Sequence, residues 1–366
     1  MRLVLTGGGT GGHIFPALAL WRYLHQHHPD AEVLYVGGEQ GLERDIVPRE
    51  GLPFVTVPAA PLRRQMSPSV LRTVAVTYRG YREARRLLQS FHPDVVLGTG
   101  GYVTLPVVWA AQRLGIPTVI WEGNAAPGLS NRLCARRADA VALAFPGAEA
   151  AFRGAGRVIV TGNPRASEVM AASPERLAQA RAMYRIDPDK RLVVCYTGSR
   201  GSETVNGVIA QVVPRFAEVP RWQLLFVTGE AHFARVMERL GAVPDNVTVV
   251  PFIHDMPAVL PQASAVVTRA GSSTLAEICA LGVPSVLIPS PYVTANHQEH
   301  NARRLAEQGA AWMIREAELT PSALWQALAT VLHPERAARM REAARRLGTP
   351  DAVARLYEVV LSVARR

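Results

Sequence analysis

What constrains this chain most is a glycine loop set between a strand and a helix at its start. Leu3-Val4-Leu5 reads as a buried β-strand, and Gly7-Gly8-Gly9-Thr10-Gly11-Gly12-His13-Ile14-Phe15-Pro16 follows. Ala17 to His28 then keeps apolar residues at helical spacing. Strand, glycine loop and helix in that order open a nucleotide- or phosphate-binding α/β domain. Glycines let backbone N–H groups approach an anion, and the helix N-terminus adds partial positive charge. Gly7-x-Gly9-x-x-Gly12 gives the dinucleotide spacing while Gly9, Gly11 and Gly12 do not, and so partial a match is weak evidence taken alone. His13 is the one titratable side chain of the loop, so its role depends on what the loop binds.

The remainder repeats the alternation. Strands are predicted at Glu32–Val36, Phe54–Val57, Val95–Leu97, Thr118–Trp121 and Ala140–Leu143, with Val158–Thr161 as a further candidate. Helical patterns lie between them, which implies a parallel, doubly wound sheet whose ligands sit at the carboxyl ends of the strands. After Gly162-Asn163-Pro164 the pattern restarts. A helix at Pro174–Tyr184, N-capped by Ser173, precedes strands at Leu192–Tyr196, Gln223–Val227, Val247–Val250, Ala265–Thr268 and Ser285–Ile288. Helices close the chain at Pro321–Leu332, Pro334–Leu347 and Pro350–Ala364. We read two Rossmann-like α/β domains, residues 1–164 and 165–349, with a linker near 162–172.

The net charge of +10 is almost all arginine, Lys190 being the one lysine. Residues 1–165 carry +7 of it and residues 166–366 carry +3. An anionic partner (nucleic acid, an acidic membrane surface or a phosphorylated substrate) and a simple preference for arginine on solvated faces both fit. Cys134, Cys195 and Cys279 are odd in number and far apart, which gives neither a disulfide framework nor a zinc site and fits a reducing compartment. The chain begins on strand one with no secretory signal visible. No uninterrupted apolar run approaches the roughly 20 residues of a membrane span.

Each glycine-rich turn has two readings, an anion cradle or a tight turn that needs a left-handed backbone. Gly98-Thr99-Gly100-Gly101-Tyr102 repeats the first loop on a neighbouring strand, and two such loops in one domain favour a diphosphate held by backbone N–H groups. Tyr196-Thr197-Gly198-Ser199-Arg200-Gly201-Ser202 mirrors them in the second domain. The richest stretch is Thr268-Arg269-Ala270-Gly271-Ser272-Ser273-Thr274-Leu275-Ala276-Glu277. Its hydroxyls at a helix start make another anion site, and Glu277 is placed to reach a ribose diol. The plainer reading is N-capping by Ser272, with Glu277 on a solvated face. His297, Gln298 and Asn301 offer sugar-type hydrogen bonds. His297 and His300 lack a third ligand at sensible spacing, so a metal is the poorer reading. Asp187-Pro188-Asp189 reads as a turn. Glu122 and Asn124 share the strand-end edge with His13, and a structural hydrogen bond for one of them is an open alternative. From Leu62 to Leu88, seven arginines (Arg63, Arg64, Arg72, Arg79, Arg82, Arg85, Arg86) oppose Glu83 alone among apolar residues. That stretch is either a helix for an anionic membrane face or a core-packing helix with a basic outer side.

Taken together these motifs resemble the MurG family, the UDP-N-acetylglucosamine transferases of bacterial peptidoglycan synthesis, along nearly the whole chain. The resemblance is carried by Gly7 to Pro16, Gly98 to Tyr102, Glu122 and Asn124, Gly162-Asn163-Pro164, Gly198-Ser199, Phe252-Ile253, Gly271 to Glu277, and Asn296-His297-Gln298 with Asn301. It departs from the family at Gly123, where Gln is usual, at Arg200, and at Arg165, which stands one place early with Ala166 in the Arg position.

The resemblance implies a GT-B glycosyltransferase, two Rossmann-like domains facing across a cleft with the final helix, about 350–366, returning to the first. The implied reaction is inverting transfer of GlcNAc from UDP-GlcNAc to the 4-hydroxyl of undecaprenyl-pyrophosphoryl-MurNAc-pentapeptide (lipid I), by a peripheral protein at the cytoplasmic face of the cell membrane. It implies partners in UDP-GlcNAc, lipid I and an anionic membrane surface, with no cofactor, metal or nucleic acid. His13 would be the catalytic base. Thr10, Gly11, Gly12, Asn124, Arg165, Ser199, Ile253, Ser272, Ser273, Thr274, Leu275, Ala276, Glu277, His297 and Gln298 would hold the donor. Gly9, His13, Gly98, Gly100, Gly101 and Tyr102 would face the acceptor. The alternatives are a related transferase acting on another lipid, and a sugar-nucleotide-binding protein without turnover.

Overall fold

A computed structural model describes residues 1–60, 69–124, 126–198, 201–293 and 296–364. They form two compact units, residues 1–165 with 351–366, and residues 166–350.

The first unit runs β1 (Arg2–Gly7), α1 (Gly11–His27), β2 (Glu32–Gly38), α2 (Glu43–Arg49), β3 (Phe54–Val57), α3 (Ser69–Phe91), β4 (Val95–Gly100), α4 (Thr104–Arg113), β5 (Thr118–Glu122), α5 (Leu129–Ala135), β6 (Ala140–Leu143) and β7 (Val158–Val160). Among the described residues its sheet has seven strands in the order β3-β2-β1-β4-β5-β6-β7. Every pairing is parallel. Parallel neighbours need crossovers, and helices supply them on both faces, so the central strands are apolar throughout. Leu3 and Leu5 pack with Leu18 of α1 on one face, while Val4 joins Val96, Val108 and Leu88 on the other. That split follows from the two-residue period of a strand.

α6 (Arg165–Met170) crosses the boundary between the units. The second unit follows with α7 (Pro174–Tyr184), β8 (Arg191–Tyr196), α8 (Glu203–Val212), β9 (Trp222–Val227), α9 (Phe233–Leu240), β10 (Val247–Val250), α10 (Met256–Val259), β11 (Ala265–Thr268), α11 (Ser272–Leu281), β12 (Ser285–Leu287), α12 (His297–Glu307), β13 (Trp312–Met313), α13 (Pro321–Leu332) and α14 (Pro334–Leu347). Its described strands are also parallel, ordered β10-β9-β8-β11-β12-β13. Ser173 caps α7 by accepting the Arg176 N–H at 3.4 Å, with Pro in the first turn. β13 was absent from the sequence expectation because two residues give no alternation to read. The chain ends in α15 (Ala352–Val363), which packs Leu356 and Val360 into the β1 side of the first unit.

In each sheet the strand order reverses at one point, between β1 and β4 and between β8 and β11. Doubly wound sheets open a crevice there, where neighbouring crossovers leave to opposite faces. The loops after these four strands are the glycine-rich turns of the sequence.

Candidate active site

In the first unit the loops after β1 and β4 pack against each other. The Gly8 N–H donates to the Gly100 carbonyl at 3.1 Å, and Thr99 Oγ1 donates to the carbonyl of His13 at 2.6 Å. Gly100 and Gly101 have φ of 109° and 86°, a left-handed backbone that favours glycine. A Cβ on Gly100 would also lie 2.7 Å from His13 Cδ2, and one on Gly101 would lie 2.2 Å from the Gly8 oxygen. α1 then begins at Gly11 with Thr10 as N-cap, and His13 stands in its first turn.

The half-buried His13 ring turns Nδ1 to the Gly8 carbonyl at 3.0 Å and to Thr10 Oγ1 at 3.3 Å. A carbonyl can only accept, so Nδ1 carries the proton in the neutral ring and Nε2 is the basic nitrogen. That assignment follows from the hydrogen-bond network.

Several residues expected here do other work. Gly98 lies inside β4 with its Cβ direction 2.6 Å from Thr104 Cγ2, so it packs the core instead of meeting an acceptor. Gly100 is buried, with its N–H given to Thr104 Oγ1 at 3.2 Å and its carbonyl to Gly8. Gly9, Gly101 and Tyr102 remain partly exposed, and the Tyr102 hydroxyl donates to the Gln40 carbonyl. Burial, then the nearby Glu43 carboxylate, push the Tyr102 phenol above its ordinary pKa. Glu122 is 3% exposed and is structural. Its oxygens accept from the N–H groups of Asn124 and Gly128, at 2.9 and 3.1 Å, and from Asn131 Nδ2 at 2.9 Å. The loop carrying the partly exposed Asn124 is thereby fixed. Arg165 places its guanidinium 5.2 Å above the Phe15 ring, beside the first turn of α1.

In the second unit the loops after β8 and β11 border a pocket of about 450 Å³ lined by Gly198, Ser202, Arg269, Gly271, Thr274, Ser290, Tyr292 and Gln298, among others. That volume suits a nucleotide-sized ligand. Ser202 N-caps α8, accepting the Val205 N–H at 3.4 Å. α11 is capped by the backbone of Gly271 and not by Ser272, which is already its first helical residue. Two helix N-termini of ten residues each therefore open at the switch point, a favourable setting for a diphosphate. Ser272 to Thr274 are partly exposed at that start. Leu275 and Ala276 are buried, and the Leu275 N–H is already given to the Gly271 carbonyl at 3.0 Å. Gln298 Oε1 accepts the Ser290 N–H at 2.9 Å, which leaves its NH₂ as the donor end of this pocket-lining side chain.

Glu277 is 4% exposed, so the solvated-face reading fails for it. Ile253 is buried as well and His297 partly so. These three fall outside the pocket lining, and Ser199, like Arg200, lies outside the described residues. Asn301 Nδ2 donates to the Ala270 carbonyl at 3.2 Å and ties α12 to the β11 loop.

Sequence reasoning gave Arg269 no role. It bonds Ser202 Oγ at 2.7 Å and the Ile288 carbonyl at 3.1 Å and pairs with Glu316 at 2.5 Å. The signal was a lone arginine between a strand end and the Ala-Gly that opens α11.

On the first unit's surface, α3 buries Thr77, Ala84 and Leu88 and exposes Val74 and Tyr78 among Arg72, Arg79, Arg82, Arg85 and Arg86. Tyr81 meets the exposed Trp109 of α4 edge-on at 6.1 Å. Arg63 and Arg64 lie outside the described residues. Among the described residues, no helix is long and apolar enough to cross a membrane.

Residues 3–143 match the glycosyltransferase family 28 N-terminal domain, and residues 192–356 match the glycosyltransferase family 28 C-terminal domain. The chain is 45% identical, over 99% of each chain, to a UDP-N-acetylglucosamine–N-acetylmuramyl-(pentapeptide) pyrophosphoryl-undecaprenol N-acetylglucosamine transferase of an Exiguobacterium species. It is 46% identical to the Bacillus licheniformis protein of the same name, over 98% of each. The crystal structure of Acinetobacter baumannii MurG superposes with a TM-score of 0.76 at 26% identity, covering 99% of both chains.

Proposed function

This chain belongs to glycosyltransferase family 28, and from that premise we propose that it transfers N-acetylglucosamine from UDP-N-acetylglucosamine to N-acetylmuramyl-(pentapeptide) pyrophosphoryl-undecaprenol. The full-length identity to transferases of that name carries the reaction. The His13 geometry carries the mechanism.

The acceptor's 4-hydroxyl attacks the anomeric carbon of GlcNAc from the face opposite UDP, which inverts that carbon. His13 Nε2 takes the hydroxyl proton while Nδ1–H stays on the Gly8 carbonyl. As the C–O bond to UDP breaks, negative charge grows on the diphosphate. The N-termini of α8 and α11 stabilise it, so no metal is assigned a role. Gln298, on the pocket lining, and His297 beside it are assigned to the sugar, and Glu277 with the backbone at Ile253, both beyond that lining, to the nucleoside. Ser199 is assigned to the diphosphate, and Thr10, Gly11, Gly12, Asn124 and Arg165 to the donor. Gly101, Tyr102 and Gly9, the last by groups other than its N–H, face the acceptor.

An undecaprenyl acceptor stays at a bilayer, so the enzyme works there as a peripheral protein on the cytoplasmic face. The outer side of α3 supports this reading. It sets Val74 and Tyr78 to enter the interface while Arg72, Arg79, Arg82, Arg85 and Arg86 meet anionic headgroups.

The test is UDP release by the purified enzyme with UDP-GlcNAc and a short-chain lipid I analogue. Release that depends on this acceptor is expected. Release with diacylglycerol instead, or tight UDP binding without turnover under any acceptor, overturns the proposal.

A further inference from the structure

Beneath the first glycine loop sits a carboxylate that the reaction does not use directly. Glu43 opens α2 and is 0% exposed. One oxygen, Oε2, accepts the Gly9 N–H at 2.9 Å, and the other, Oε1, accepts the Gly38 N–H at 3.2 Å. One side chain thus bridges the loop after β1 and the end of β2.

The surrounding backbone is shaped to this group. A Cβ on Gly8 would lie 2.2 Å from Glu43 Oε1, one on Gly41 would lie 2.4 Å from Oε2, and one on Gly37 would lie 2.9 Å from Cγ. These glycines make room for a buried carboxylate as much as for any ligand. Two phenols stand near it. Tyr35 donates its hydroxyl to the Gly7 carbonyl at 2.8 Å, and Tyr102 lies over the loop, 3.1 Å from where a Gly9 Cβ would be.

We infer that Glu43 is a positioning residue for the reaction: by accepting from Gly9 and Gly38 together, it fixes the loop whose Gly8 carbonyl holds His13 Nδ1. The chain of contacts is short. Glu43 holds the Gly9 N–H, the same peptide group carries the Gly8 oxygen, and that oxygen sets which imidazole nitrogen is basic. The chemistry requires a carboxylate. Both partners are N–H donors, and only an ionised carboxyl offers an acceptor on each oxygen. A carboxamide would turn NH₂ against one of the two N–H groups and leave a buried donor unpaired. The Gly9 N–H is committed to this contact and not to the acceptor diphosphate.

The inference rests on the reading of His13 as the base, and the experiment separates the two. Glu43→Gln is compared with wild type and with His13→Ala for kcat, for KM of UDP-GlcNAc and for the His13 ring tautomer by nitrogen NMR. Amide hydrogen exchange at Gly9 and Gly38 is measured in the wild type. Glu43→Gln is expected to lower kcat about tenfold with the donor KM within about twofold, the scale of one charged hydrogen bond. It is also expected to mix the His13 tautomers. Wild-type kcat, or an unchanged tautomer, in folded Glu43→Gln overturns the inference. Should that variant fail to fold, wild-type exchange decides. Slow, matched exchange at Gly9 and Gly38 supports the bridge, and rapid exchange at Gly9 overturns it. Full turnover by His13→Ala would instead remove the base reading and leave the Gly9–Glu43 result standing.

Discussion

Arg269 and Glu316 meet at 2.5 Å with side chains only 10% and 9% exposed. The guanidinium also reaches Ser202, the N-cap of α8, so the pair braces the wall of the second unit's pocket. Arg269→Ala leaves Glu316 charged and buried. A loss of about 3 kcal/mol in unfolding free energy is expected, with a higher KM for UDP-GlcNAc. Arg269→Met with Glu316→Leu should recover most of the stability. Denaturant unfolding of both variants and of the single Arg269→Met and Glu316→Leu checks this, and an additive double variant would contradict it.

His13→Ala should lower kcat by about 10²- to 10⁴-fold, the usual worth of a general base. The donor KM should stay within about twofold, because the pocket proposed for the diphosphate is lined by second-unit residues. Steady-state kinetics with a soluble acceptor analogue decide it. An equal loss in donor affinity would assign His13 to binding.

Replacing Arg79, Arg82, Arg85 and Arg86 by Gln should weaken partition onto anionic vesicles at about 1 kcal/mol per arginine. Turnover on a soluble acceptor should be unchanged. Vesicle sedimentation at two salt concentrations measures the effect. Undiminished binding would leave α3 as a packing helix with a basic outer side.

Glu299 accepts from Asn296 Nδ2 at 2.7 Å, and from Arg303 and Arg315 at 2.6 and 3.1 Å. The Asn296 bond first, then those two, bring its carboxyl down to about 2. A depressed carboxylate stabilises the fold above its unfolded pKa, and that contribution is lost as pH falls through the folded value. The contact of Glu299 with Asn296 should therefore hold from pH 4.5 down to about 2 and weaken below it. A carboxyl carbon NMR titration with a midpoint near 4.5 would refute this.

The sheets were legible because buried parallel strands are near-continuous apolar runs punctuated by glycine, as at Leu3–Leu5 and Val95–Leu97. The placement of the His13 loop and of the Ser272 helix start at strand ends was legible for the same reason. The rest depends on direction. Gly98 and Gly100 read alike in sequence, yet one packs against Thr104 and the other against His13. Glu122 reads as a ligand from its place at a strand end, and only the fold shows four donors converging on it. Glu43 reads as an ordinary acid in a helix first turn. Its burial is decided by β2 and the first loop, which no local pattern reports.

The position of α15 has a consequence for how the chain is made. Tyr357 and Leu356 complete the core that Leu3 and Leu18 begin, yet more than 330 residues separate them along the chain. The second unit is in effect an insertion within the first. During synthesis it can finish while the first still lacks one wall, so the unit translated earliest closes last.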